Sequence, residues 1–184
     1  MAEVLLRQTL NARAIAADVS SAGLLFAGEP ATATAVETMA ARGLDLSGHR
    51  SRMISPEMLG PPDLIITMAR EHLREVVIRR PDRYGRTFTL REFVRRGDEV
   101  GPRAGGDAID AWLGRMHTGR SPSDHQGRGP LDDIADPIGR GPQIYGQTAA
   151  ELAVLVTRLA DLLWEPVPAR PEPVPGPSAR PPDL

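Results

Sequence analysis

The chain has 184 residues and a formal net charge of −2, enough length for one domain with a real core and no positive surplus suited to nucleic acid or an anionic membrane. It contains no cysteine, which excludes disulfides, thiolate zinc sites and any thiol chemistry of its own. All 22 basic residues are arginines, scattered along the chain rather than gathered into a patch. No apolar run approaches the ~20 residues that cross a bilayer. The opening residues place no basic region ahead of an apolar run, as a signal peptide would. A soluble cytoplasmic protein, with no nucleic-acid and no membrane partner, is the expectation.

The first sixteen residues read as a helix, with Ala2, Leu6, Leu10 and Ala14 recurring at i+4 and Leu5 beside them. Residues 17–22 suit a short strand ended by Gly23. A second helix is predicted over 30–42, opened by Pro30, lined by Val36, Met39 and Ala40, and closed by Gly43 as a left-handed cap. Asp63-Leu-Ile-Ile-Thr-Met68 is apolar without alternation, the pattern of a strand covered on both faces. A helix follows from Arg70 to Arg80, with Leu73, Val76 and Val77 inward and Pro81 stopping it. Thr87–Leu90 reads as a further short strand. The alternation of short strands and helices predicts an α/β fold with a parallel sheet flanked by helices.

From Gly97 to Pro130 the chain is rich in Gly, Pro, Ser and Arg. Ile109, Trp112, Leu113 and Met116 keep helical spacing there behind Asp107 as a cap, and residues 118–129 read as a mobile loop. Thr148-Ala-Ala-Glu151 has the form of a capping box opening the last helix, whose stripe is Leu152, Leu155, Val156, Leu159 and Leu163. After Trp164 the proline-rich residues 165–184 cannot pack a core and read as a disordered tail.

Three segments in order carry a resemblance. Ser20-Ser-Ala-Gly23, Asp45-Leu-Ser-Gly-His-Arg-Ser-Arg52 with Asp63–Met68 after it, and Asp136-Pro-Ile-Gly139 with Tyr145 and Thr148 after it resemble the motifs of the low-molecular-weight protein tyrosine phosphatases. The likeness covers residues 1–164, with an expanded region over about 97–130. It implies a three-layer α/β fold and phosphate monoester hydrolysis through a phosphocysteine, with no cofactor and no metal. The substrate implied is a phosphotyrosine protein or an aryl phosphate.

That family's signature, a strand and a CxxxxxR-S-P loop, precedes a helix that often opens with a run such as Met1-Ala-Glu3, so the resemblance begins just after the loop. The first central strand, between residues 17–22 and 63–68, is then missing. The nucleophilic cysteine and the phosphate-binding arginine are missing with it. A thiolate attacks phosphorus, and a helix N-terminus is where its pKa falls; unactivated Ser and Thr hydroxyls are poor substitutes. The chain as written is therefore expected to be inactive and to be the truncated reading of a longer one. The rival is a pseudophosphatase that binds a partner or a phosphoprotein without hydrolysing it. The related arsenate reductases need several cysteines and are excluded by their absence.

By the resemblance, Asp136 is the general acid and later base, with burial by Ile134, Ala135 and Ile138 favouring the acid form; on its own, Asp-Pro-x-Gly is a turn. His49 and Ser21 would brace the phosphate loop, though a lone His is more often simply satisfied or exposed. Leu25 and Phe26 fall where the family walls the substrate ring, with core packing an equal alternative. Asp132 and Asp133 read as a solvated acidic turn rather than a Mg²⁺ site, and His72, His117 and His125 as ordinary. The arginines at 79, 80, 83 and 86 read as a solvated helix end, with docking of an acidic partner as the alternative.

Overall fold

The structure, a computed structural model, describes residues 1–126 and 131–164. Its elements are α1 (Ala2–Ala12), α2 (Ala33–Ala40), β1 (Ile65–Thr67), α3 (Arg70–Arg79), β2 (Thr87–Thr89), α4 (Leu90–Val100), α5 (Ile109–His117) and α6 (Pro142–Leu163), with 3-10 turns at Pro81–Arg86 and Pro122–His125. β1 and β2 pair in parallel with Ile65 opposite Thr87, and α3 is the crossover between them. α1, α2 and α4 pack on α6, the longest helix. Met39, Phe88, Phe93, Trp112, Met116 and Leu162 are fully buried in the core between helices and sheet. Phe93 joins its two neighbours edge-on, at 5.8 Å to Phe88 and 5.7 Å to Trp112. The expected parallel sheet flanked by helices is present.

Several expectations are corrected. α1 ends at Ala12 rather than residue 16, where Ala14 takes a left-handed φ of 55°. α2 begins at Ala33, because the Thr32 hydroxyl accepts from Ala35 N at 3.3 Å, while Pro30 bridges to Arg50. Gly43 is left-handed as expected (φ 73°). α5 is capped by the Ala108 backbone position rather than by the Asp107 side chain, which pairs with Arg115 at 2.6 Å. α6 starts at Pro142, six residues before the apparent capping box; Thr148 is buried inside it and Glu151 reaches Arg91. Proline at the first helical position needs no N–H partner, so Gly141-Pro142 is the stronger start.

Residues 17–22 form no strand. A ladder needs a neighbour, and among the described residues none offers one. Their contacts are side chain to carbonyl: Arg7 Nε to Val19 O at 3.1 Å, and Arg52 Nη2 to Ser21 O at 2.9 Å. Among the described residues β1 likewise is paired on one edge only. Of the stretch read as a mobile loop, residues 118–126 are anchored through Arg120, whose side chain is fully buried against Glu92. The expected C-terminal tail and the rest of that loop lie outside the described residues.

Candidate active site

The segment before Asp136 is tied down residue by residue. Asp132 is nearly buried and pairs with Arg95 at 3.2 Å. Asp133 accepts from the Arg70 backbone N–H at 2.8 Å, capping the first turn of α3, where the residue before the helix brings no capping side chain. Neither belongs to a solvated turn, as their sequence suggested: an arginine and a bare helix start recruit them. Ile134 N–H donates to Met68 O at 2.8 Å, extending the end of β1, and its side chain is buried.

Asp136 then emerges into solvent. Its Oδ1 accepts from Ile138 N at 2.9 Å, Arg140 N donates to Pro137 O at 2.9 Å, and Gly139 is left-handed at φ 74°. Turn and exposed carboxylate thus coexist: Oδ1 holds the turn while the residue stays exposed. The burial expected around it is only partly present. Ile134 is buried, but Ala135 is exposed and Ile138 is 64% exposed.

The Asp45–Arg52 motif is a turn that staples residues 21–29. Asp45 Oδ1 accepts from Ser47 N at 2.8 Å, and the hydrogen bonds from Ser47 hold its carboxyl below the usual range. Ser51 exchanges backbone bonds with Glu29 and Gly28, all at 2.8 Å, and its hydroxyl accepts from Glu29 N at 3.0 Å. Gly23 and Met53 form a parallel bridge beside them. The Ser21 hydroxyl donates to the Glu3 carboxylate in the first turn of α1, and Glu3 pairs with Arg7 at 2.9 Å. Ser21 is therefore held at the first turn of α1.

The His49 imidazole has no hydrogen bond among the described residues; only its backbone is engaged, its N–H donating to Leu46 O at 3.1 Å. No bond joins His49 to Ser21. Leu25 (76% exposed) and Phe26 (60%), on the loop after Gly23, and Met53 (51%), which bridges to Gly23, are exposed, so core packing does not account for them. The arginines after α3 are largely engaged: Arg80 with Asp82 at 2.8 Å, Arg83 with the Leu59 carbonyl at 2.8 Å, and Arg86 with Asp110 at 2.9 Å. They staple the 56–63 segment rather than stand free. Among the described residues no group of three His, Asp or Glu is placed to hold a metal ion. The sequence reading missed the buried Glu92–Arg120 pair. Its one visible signal was Thr89-x-x-Glu92, the form of a helix start, and Thr89 Oγ1 does accept from Glu92 N at 3.2 Å.

An α/β domain with a short parallel sheet, its β1 end leading to a turn that displays a carboxylate, is the class of protein the geometry defines. Among solved structures it is similar to a low molecular weight protein tyrosine phosphatase from T. tengcongensis (TM-score 0.66, 27% identity, 88% of each chain). A family model described as low molecular weight phosphotyrosine protein phosphatase matches residues 1–101, and the chain belongs to that family. A Ralstonia solanacearum protein named probable low molecular weight protein-tyrosine-phosphatase EpsP is 39% identical over 93 residues, which are 50% of this chain and 61% of that one. The chain thus spans about three fifths of that relative's length, and about as much of a low molecular weight protein-tyrosine-phosphatase Etp from Escherichia coli. A Bacillus subtilis protein named protein-arginine-phosphatase is 27% identical over 166 residues, 89% of this chain and 87% of that one.

Proposed function

We propose that the chain is the scaffold and acid-base half of a cysteine-dependent phosphatase acting on phosphotyrosine proteins in the cytoplasm, and that these 184 residues alone do not hydrolyse phosphate esters. The observation that carries the reading is Asp136, exposed at a turn whose approach is fixed to Met68 and Arg70. In the reaction, a thiolate displaces the leaving group from phosphorus while Asp136 gives that group its proton. Asp136 then takes a proton from the water that cleaves the phosphocysteine. The chain holds no thiol, so the first step has no nucleophile in it. Ser21 and His49 are assigned the support of the phosphate loop, and Leu25 and Phe26 the rim that meets the substrate ring.

Two features favour a second reading, a non-catalytic domain that takes up a partner's strand: among the described residues the N–H groups of residues 16–22 find no acceptor and β1 is paired along one edge. Hydrolysis of p-nitrophenyl phosphate separates the readings. The 184-residue chain should show none, and vanadate-sensitive turnover by it would overturn the proposal. A strand and CxxxxxR-S-P loop joined ahead of Met1 should bring turnover. A folded but inactive joined protein would favour the strand-binding reading. Phosphotyrosine peptide and phosphoarginine protein, offered in parallel, then test the substrate class; preference for phosphoarginine would correct the phosphotyrosine assignment.

A further inference from the structure

Away from Asp136, the densest meeting of titratable groups lies under residues 118–126. The Arg120 guanidinium is fully buried between the rings of Tyr84 and Phe88, at 4.6 and 4.1 Å from their centroids. Each of its N–H donors has an acceptor. Nε reaches Glu92 Oε1 at 2.7 Å, and Nη1 reaches Tyr84 O and His117 Nδ1, both at 3.1 Å. Nη2 reaches Thr87 O at 2.8 Å and Glu92 Oε2 at 3.0 Å. His125, also buried, places Nε2 3.4 Å from Arg120 Nη2, 3.2 Å from the Tyr84 hydroxyl and 4.0 Å from Glu92 Oε1.

A guanidinium only donates, so His117 Nδ1, 3.1 Å from Nη1, must accept. His117 therefore carries its proton on Nε2, while His125 turns Nε2 to both Arg120 and the Tyr84 hydroxyl and keeps Nδ1 buried without a hydrogen-bond partner in the structure. A second proton on His117 turns that acceptor into a donor aimed at a cation, and one on His125 sets a positive ring beside the same guanidinium. Either proton also adds positive charge around one buried carboxylate already shared by Arg120 and Arg96, the latter at 3.2 Å. The other charged groups facing the pair are Asp124, Asp132 and, through the His125 carbonyl, Arg74.

We propose that residues 118–126 are an acid-released latch, bolted by Arg120 into Glu92 and opened when His117 and His125 take up protons. The segment is also held by Arg70 Nη1 on the Asp124 carbonyl (3.3 Å) and Arg74 Nη1 on the His125 carbonyl (2.6 Å). The same first turn of α3 is capped by Asp133, so latch and candidate acid segment share an anchor. Burial first, then Arg120 and Arg96, hold His117 below its ordinary value, with Glu92 opposing. Burial and Arg120 do the same to His125 against Glu92, Asp124 and Asp132. Both folded-state values are depressed. Their stabilising contribution is therefore complete above the unfolded value of about 6.5 and is lost as pH falls below it.

Hydrogen exchange of the full chain, corrected for intrinsic rates, tests this between about pH 7.5 and 5.5. With up to one proton per imidazole, protection of 118–126 should fall about ten- to a hundredfold below pH 6.5, while that of 149–163 in α6 barely moves. His117→Asn with His125→Gln, neutral side chains that still accept, should flatten the profile. The latch is refuted by pH-independent protection, by an equal fall in α6, or by an unchanged profile in the double variant. If the double variant does not fold, NMR titration of the native imidazoles decides. Values at or above the ordinary one overturn the proposal, and depressed values with selective loss of protection support it.

Discussion

Arg120→Met isolates the energetics of the buried pair. The substitution keeps much of the stem volume against Tyr84 and Phe88 and removes both donors that Arg120 gives to Glu92, which is 2% exposed. Breaking a buried pair from one side costs about 3–5 kcal/mol, because the remaining charge is stranded. Arg96, 3.2 Å from Glu92, stays as a partial partner and places the expected loss near the lower end, about 3 kcal/mol. The carbonyls of Thr87 and Tyr84 also lose a donor, at about 1 kcal/mol each where no water replaces it. Replacing both partners, Glu92→Leu with Arg120→Met, removes the stranded charge and leaves mainly those carbonyls, so the double variant should lose only about 1–2 kcal/mol. Urea unfolding at about pH 7.5, followed by circular dichroism, measures both. A double variant as unstable as the single one, or a single loss below about 1 kcal/mol, would refute the reasoning.

Two glycines in helices should respond in opposite directions. A Cβ on Gly97 would meet Leu162 Cδ1 at 2.5 Å in the core, so Gly97→Ala should destabilise by about 1–3 kcal/mol despite its better helix propensity. A Cβ on Gly114, on the exposed face of α5, meets nothing, so Gly114→Ala should stabilise by up to about 1 kcal/mol in the same unfolding assay. Asp133→Ala removes the cap from α3 and should cost about 0.5–2 kcal/mol, read as a lowered urea midpoint with unchanged slope.

What was legible in the sequence is what local pattern encodes. Ile65–Thr67 and Thr87–Thr89 are apolar or β-branched runs without alternation, and both are strands covered by helices. Leu73 and Val76 mark the inward face of α3, and Trp112, Leu113 and Met116 that of α5. The misses come from partners distant in the chain. Residues 17–22 have strand composition but, among the described residues, no neighbour to pair with. α4 was not foreseen because Gly97 and the charges after Phe93 dilute its stripe; Gly97 is there to admit Leu162, 65 positions along the chain. Residues 118–126 are polar and rich in turn formers, yet one arginine 28 residues from its carboxylate fixes them. At the candidate site, the Asp136 turn was readable from Asp-Pro-x-Gly. The anchoring of Asp132 and Asp133 was not, since it depends on where Arg95 and the start of α3 come to lie.

The dependence of kcat on leaving-group pKa tests the assignment of Asp136 most directly, in the protein carrying a CxxxxxR-S-P loop ahead of Met1. Asp136→Asn preserves the Oδ1 acceptor that holds Ile138 N, so the turn and the melting point should persist. Its kcat should fall by about 10²–10⁴ on phenyl phosphates whose leaving groups need the proton, and only slightly on very acidic phenols. Asp63→Asn, at an exposed carboxylate outside this turn, serves as the control and should change neither. A loss at Asp136 that is the same for every leaving group, or one matched by Asp63→Asn, would contradict the account.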